Sequence, residues 1–149
     1  MHTENTLLQY ATDFVDYGII ALLIIMSIVA LWIFIERMMF YKSVDIKSYT
    51  HRDQLELDLT DNINIVSTIA SNAPYVGLLG TVLGIMLTFY TLGDIGAVDA
   101  KKIMTGLAMA LKATAMGLIV AIPAIIFYTI LSRKIEKILT KYDILHEEH

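Results

Sequence analysis

The stretch "NAPYVGLLGTVLGIMLTFY", residues Asn72–Tyr90, lies inside a run without formal charge that extends from Asn62 to Gly93. About 20 apolar residues are enough for a helix to cross the hydrocarbon core of a bilayer. This stretch nevertheless contains a proline, three glycines and two threonines, which are residue types that weaken helices in water. The pattern predicts a membrane helix whose small residues serve close helix packing.

The composition of the whole chain is that of a membrane protein. Of its 149 residues, 56% are hydrophobic and 17% are charged, and the mean hydropathy is +0.64. Two further runs, residues 17–35 and 103–132, are long enough to span a bilayer, and Lys112 is the one formal charge in them. We therefore predict an all-α integral membrane protein with three transmembrane helices.

The same composition disfavours several function classes. The net charge of −4 gives no reason to expect a nucleic-acid partner. The chain has no cysteine, and its four histidines are scattered over the termini and one loop, so we expect no metal site and no cofactor. No nucleophile–base pair or phosphate-binding loop is recognisable in the sequence, so we do not expect an enzyme.

Apolar residues at helical spacing also occur outside the three apolar runs, in the N-terminal stretch, the loop and the tail. They are Leu7, Leu8, Ala11, Phe14 and Val15, then Leu55, Leu59, Ile63, Val66 and Ala70, and finally Ile135, Ile138, Leu139, Tyr142 and Leu145. The second and third membrane helices should therefore be long and extend into the cytoplasm. The predicted segments of this single domain (1–149) are an amphipathic surface helix (1–16), membrane spans (17–35, 62–93 and 103–132), a cytoplasmic loop (36–61), an outer turn (94–102) and a cytoplasmic helical tail (133–149).

Basic residues predict the orientation of the chain. Lys and Arg are absent before residue 17, but they follow the first and third spans: Arg37, Lys42, Lys47 and Arg52, then Arg133, Lys134, Lys137 and Lys141. The positive-inside rule therefore places the N-terminus outside and the C-terminus in the cytoplasm. Lys101 and Lys102 in the outer turn oppose this orientation but are outnumbered.

Small residues form one stripe on each of the two long helices. At about 100° per residue, the stripe on the second membrane helix covers about 80° of its circumference, and that on the third covers about 60°. The first stripe contains Ala73, Gly77, Thr81, Gly84 and Thr88, with Gly80 at its edge. The second contains Ala110, Thr114, Gly117 and Ala121. Such stripes let helix backbones approach closely in lipid, so we expect these residues to form helix contacts. A role in the wall of a pore is implied only by the resemblance of residues 72–86 and 106–124 to a known family.

Thr81 and Thr114 fall on these stripes at nearly the same predicted depth, near mid-membrane. Each hydroxyl either bonds the carbonyl one turn back in its own helix or faces a polar pore or a partner helix. Lys112 lies about 160° from Thr114 and fits either a lipid or structural contact or an ionic partner on another subunit. Pro74 and Pro123 either mark a widening of the helix bundle or form a hinge.

Two segments resemble the paired signatures of a known family. "NAPYVGLLGTVLGIM" (72–86) and "GLAMALKATAMGLIVAIPA" (106–124) closely resemble the APLLGLLGTVxGM-like and ALxxTAxGLxxAIPA-like segments of the ExbB/TolQ/MotA proton-channel family. The three spans and the short loop are similar to the compact ExbB type or to TolQ rather than to the four-span MotA. By this resemblance Thr81 and Thr114 match pore-lining threonines, whereas Met109 stands where many members have a glutamate. The residues that match the family's packing positions are Pro74, Gly77, Gly80, Gly84, Gly117 and Pro123.

The resemblance implies a homopentamer in the bacterial inner membrane, with a periplasmic N-terminus and a pore between its second and third helices. That pore would hold the single helix of ExbD-type subunits, each with a membrane aspartate, and proton flow would energise TonB for uptake of siderophore-iron, haem or cobalamin. No Asp, Glu or His lies in the three predicted spans, so a partner would have to bring the titratable group. The alternatives are a TolQ-like subunit of the Tol-Pal system, which maintains outer-membrane integrity, and a passive membrane scaffold.

Overall fold

The fold, described here from a computed structural model, covers residues 2–95 and 99–147. Within these residues every regular element is helical. The elements are α1 (His2–Ser43), a short 3₁₀ helix (Ile46–Ser48), α2 (Arg52–Leu59), α3 (Ile63–Ile95) and α4 (Ala100–Glu147). The predicted all-α fold is confirmed, while the centre of the predicted outer turn, residues 96–98, lies outside the described residues.

Three of the helices are long and apolar enough to cross a membrane. Helices α1, α3 and α4 contain 42, 33 and 48 residues, or about 63, 50 and 72 Å at 1.5 Å per residue. Each exceeds the bilayer core of about 30 Å, and each contains a candidate span: Thr6–Ser43, Ile63–Leu92 and Ala100–Glu147. The chain therefore has the three helices that a three-span membrane protein requires, and the predicted boundaries of the spans stay predictions.

The residues form two compact units. One contains Met1–Met26 and Asn72–Ala121, and the other contains Ser27–Ser71 and Ile122–His149. The first unit is packed through small residues, since Ala73 is fully buried and Ala110 is 2% exposed. The core of the second unit is built from large side chains instead: Tyr41, Leu55, Leu59, Ile63, Leu131, Ile135, Leu139 and Tyr142.

Within the second unit, α1 supplies the hydrogen-bond donors that the end of α2 needs. The guanidinium of Arg37 donates to the carbonyl oxygen of Asp58 at 2.7 Å, and the hydroxyl of Tyr41 donates to that of Leu59 at 2.6 Å. These carbonyls lie in the last turn of α2, where a helix has no N–H groups of its own to bond them. Arg37 is 5% exposed and also pairs with Glu36 at 2.5 Å, so its buried charge is balanced.

The apolar spacing from Leu55 to Ala70 predicts a helix running from the loop into the second span, but the structure breaks it into two. Helix α2 ends at Leu59 and α3 begins at Ile63. Asn62 between them has a φ of 65°, in the left-handed region that ends a right-handed helix and that asparagine tolerates better than most residues. The spacing still identifies the buried side, because Leu55 and Leu59 are fully buried and Ile63 is 8% exposed.

Candidate functional site

Gly77 on α3 and Gly117 on α4 bring the two helix backbones into direct contact. A Cβ atom added to Gly77 would lie 2.6 Å from the carbonyl oxygen of Ala113 and 3.0 Å from Cα of Gly117. One added to Gly117 would lie 2.7 Å from the carbonyl oxygen of Ala73. Ordinary contacts of a Cβ atom are 3.4–4 Å, so a larger residue at either position requires a backbone to move. Glycine is therefore required at both positions.

The two stripes meet at other positions in the same antiparallel register. A Cβ atom added to Gly84 would lie 3.1 Å from Cβ of Ala110, and one added to Gly106 would lie 2.6 Å from Oγ1 of Thr88. Ala121 is 2% exposed. The small residues of α3 thus face the small residues of α4.

Thr81 and Thr114 meet inside this contact and share a hydrogen bond between their hydroxyls. The hydroxyl of Thr81 also donates to the carbonyl oxygen of Ala110 on the other helix, at 2.8 Å, whereas the carbonyl oxygen of Gly77 one turn back is 3.4 Å away. A hydroxyl has a single proton to donate. If Thr81 donates to Ala110, Thr114 is the donor to Thr81, and the three groups form a directed chain across the helix pair.

Other threonines in the long helices behave differently. The hydroxyl of Thr88 donates to the carbonyl oxygen of Gly84 at 2.8 Å, and that of Thr129 donates to the carbonyl oxygen of Ile125 at 2.9 Å. Both are bonds to a carbonyl one turn back, the usual arrangement for threonine in a membrane helix. Thr81 instead makes its shorter bonds between helices. Thr81 and Thr114 thus bond each other across two helices of one chain, and their role in lining a pore stays a prediction.

The two threonine hydroxyls can donate and accept hydrogen bonds, but neither side chain is a titratable acid or base. Thr81 is 7% exposed, whereas Thr114 is half-buried, so only Thr114 keeps free surface for a further partner. A hydroxyl both donates and accepts, which suits a contact with water or with a carboxyl group. Among residues 2–95 and 99–147 no group of His, Cys, Asp or Glu side chains is arranged to hold a metal ion.

Four further residues that the sequence singles out differ in their burial. Pro74 is half-buried within α3, and Pro123 is exposed within α4. Met109 is 52% exposed and Lys112 is also exposed. None of these four is hydrogen-bonded to Thr81 or Thr114 in the described part of the chain.

Two residues of α1 near this site are not among the predicted site residues. Asp16 lines a small cavity together with Lys112, and Ile19 lies against Gly80, where an added Cβ atom would be 3.1 Å from Cγ2 of Ile19. Asp16 is the last charged residue before the first apolar run. Opposite charges at the same end of two membrane helices are the signal by which the sequence could have paired it with Lys112.

One family model and several known proteins match most of the chain. A model of the MotA/TolQ/ExbB proton channel family matches residues 32–144. A putative biopolymer transport protein of Helicobacter pylori, named ExbB-like 2, is 55% identical over 134 residues, which are 90% of this chain and 89% of that protein. The biopolymer transport protein ExbB of Aquifex aeolicus is 50% identical over 142 residues, or 95% of this chain and 96% of the relative.

The similarity to TolQ proteins is weaker and shorter. The Tol-Pal system protein TolQ of Pseudomonas aeruginosa is 40% identical over 87 residues. These residues make up 58% of this chain and 38% of that protein.

Proposed function

The chain belongs to the MotA/TolQ/ExbB proton channel family, and from this membership we propose that it is the channel-forming scaffold subunit of a proton-driven ExbB-type motor. It is a multi-pass membrane protein of a family of proton channels and transport energisers, which is not a family of enzymes. In the proposed complex five copies surround a pore. ExbD-type subunits enter that pore, and the complex energises TonB for uptake of siderophore-iron, haem or cobalamin.

The extent of the matches favours ExbB over TolQ. The ExbB of Aquifex and the ExbB-like 2 protein of Helicobacter are matched over 96% and 89% of their own length, whereas the TolQ relative is matched over 38%. The ExbB assignment therefore supports a TonB partner ahead of the Tol-Pal system.

The threonine pair is the observation that carries the proposed mechanism. Thr114 has free surface, and its hydroxyl is backed by the chain of hydrogen bonds through Thr81 to the carbonyl oxygen of Ala110. A carboxyl group on a partner helix can bond this hydroxyl in both its charged and its neutral form. Moving one charge through 100 mV is worth about 2.3 kcal/mol, which is the work available per proton.

We place the protein in the bacterial inner membrane with its N-terminus in the periplasm. The support is the distribution of Lys and Arg along the sequence, with none before residue 17 and four after each of the first and third predicted spans. In this orientation the loop 36–61 and the tail 133–149 lie in the cytoplasm, Asp16 lies at the outer end of the first predicted span, and Lys112 lies in the outer half of the third.

The first experiment asks whether the complex exists and whether it needs the threonines. Native mass spectrometry of the full chain co-expressed with an ExbD-type single-span protein should show a pentamer holding fewer partner chains. Thr114→Val should keep this assembly and lower TonB-dependent siderophore uptake by about tenfold or more, since a hydrogen bond to a charged group is worth about 1.5–3 kcal/mol.

Matched controls are available on both helices. Thr91 on α3 and Thr129 on α4 bond only carbonyls one turn back, at 2.7 and 2.9 Å, so Thr91→Val and Thr129→Val should keep both assembly and uptake. Full uptake by Thr114→Val within an intact complex would leave a passive scaffold as the correct interpretation. Normal uptake combined with sensitivity to detergent on deletion of the protein would instead assign it to the Tol-Pal system.

A further inference from the structure

A small cavity of about 30 Å³ is lined by opposite charges from two helices of the first unit. Asp16 reaches it from α1 and Lys112 from α4, while the other lining residues are apolar or glycine. Asp13, one turn earlier on α1, repels the Asp16 carboxylate more strongly than the Lys112 ammonium attracts it. The cavity thus has in its lining both a carboxylate of α1 and the charged residue of the third predicted span.

We propose that Asp16 and Lys112 form a positioning ion pair that holds α1 against Gly80 and Ala113, the residues that directly precede Thr81 and Thr114. A single charge in a membrane is costly unless it is paired or reaches the headgroups. The flexible stem of lysine lets its ammonium move towards a carboxylate on a neighbouring helix. The attraction to Lys112 also offsets part of the repulsion between Asp16 and Asp13.

The position of the pair gives it a role beyond local charge balance. Ile19, one turn after Asp16, lies against Gly80 of α3. A Cβ atom added to Gly80 would be 3.1 Å from Cγ2 of Ile19 and 2.8 Å from Cβ of Ala113 on α4. Gly80 and Ala113 directly precede Thr81 and Thr114 in the sequence. Holding α1 at this depth therefore keeps Ile19 against Gly80, next to the point where α3 and α4 touch beside the two threonines.

The natural absence of cysteine makes a cross-linking test direct. Ile20→Cys and Met116→Cys place thiols on α1 and α4 at the cavity, and a short bis-maleimide joins them in membranes that contain the complete complex. Asp16→Lys or Lys112→Asp alone should lower the cross-linking yield by about fivefold, and the two together should restore it to within about twofold. A swapped pair as poor as the single variants overturns the proposal, and so do single variants that cross-link normally.

Neutral variants keep the test informative if the charge reversals fail to insert. Asp16→Asn alone leaves Lys112 unpaired and should lower the yield, whereas Asp16→Asn combined with Lys112→Met should recover it. Asp13→Asn is the matched control, because Asp13 is exposed, lies on the same helix and does not line the cavity. A normal yield in Asp16→Asn means that Lys112 has its partner elsewhere, in a lipid or another subunit, and the proposal fails. The inference does not depend on the proposed function, since cross-linking reports on this chain alone.

Discussion

Replacing Gly77 by alanine tests the backbone contact on which the helix pair depends. The new Cβ atom would lie 2.6 Å from the carbonyl oxygen of Ala113, against 3.4 Å for an ordinary contact. The obstacle is backbone rather than the end of a flexible side chain, so the helices would have to part by about 0.8 Å. If they part as rigid bodies, the 2.8 Å bond from Thr81 to the carbonyl oxygen of Ala110 lengthens to about 3.6 Å, which is no longer a hydrogen bond.

The expected cost is that of overpacking a well-fitted core, about 1–3 kcal/mol of unfolding free energy, or roughly 5- to 150-fold in the folding equilibrium. The loss of the interhelical bond from Thr81 adds about 0.6 kcal/mol, the average for such bonds in a membrane. Overpacking and the loss of this hydrogen bond both lower the free energy of unfolding. Gly77→Ala should therefore weaken the helix pair and disturb the threonine site together.

The assay is pulse proteolysis of the full chain during a titration of mixed micelles with sodium dodecyl sulfate. Gly18→Ala is the matched control, because nothing lies within 4 Å of a Cβ atom added there. That variant should be as stable as the parent or slightly more stable, since alanine is the better helix former. The reasoning is refuted if Gly77→Ala and Gly18→Ala unfold at the same detergent fraction.

Two further predictions concern residues outside the predicted spans or at their edge. Asn62 has a φ of 65°, so Asn62→Ala should lose about 1–2 kcal/mol of unfolding free energy in the same titration, whereas Asn62→Gly should be neutral or stabilising; equal losses would mean that the asparagine side chain matters rather than the backbone. The hydroxyl of Tyr49 donates to the carboxylate of Asp58 at 2.6 Å, and this hydrogen bond raises the pKa of Tyr49. The protonated form is favoured by folding, so its contribution is complete below the ordinary tyrosine pKa of about 10 and is lost as the pH rises through the raised value. Tyr49→Phe should therefore be less stable than the parent at neutral pH and converge with it in alkaline solution, and a difference that is constant with pH would contradict the assignment.

The sequence alone predicted the three long apolar helices and most of the residues at the contact between α3 and α4. Within a bilayer, a single chain segment can satisfy its backbone N–H and C=O groups only by forming a helix. The length of an apolar segment therefore predicts a membrane helix directly. The spacing of Gly77 and Gly117 along two such helices predicts small-residue stripes, because helical periodicity is a local property. Counting residues on either side of the outer turn predicts one depth for Thr81 and Thr114; the two hydroxyls do meet, and their depth in a membrane stays a prediction.

Tertiary structure decided which groups those residues bond. The hydroxyl of Thr81 donates to the carbonyl oxygen of Ala110 at 2.8 Å, whereas the carbonyl oxygen of Gly77 is 3.4 Å away. The glycine contacts bring α4 close enough to α3 for this interhelical bond. Asp16 and Lys112 likewise line one cavity from two different helices. Each contact joins residues that are far apart in the chain. Helical periodicity describes only the faces of a single helix, so it does not predict which residues of two helices come together.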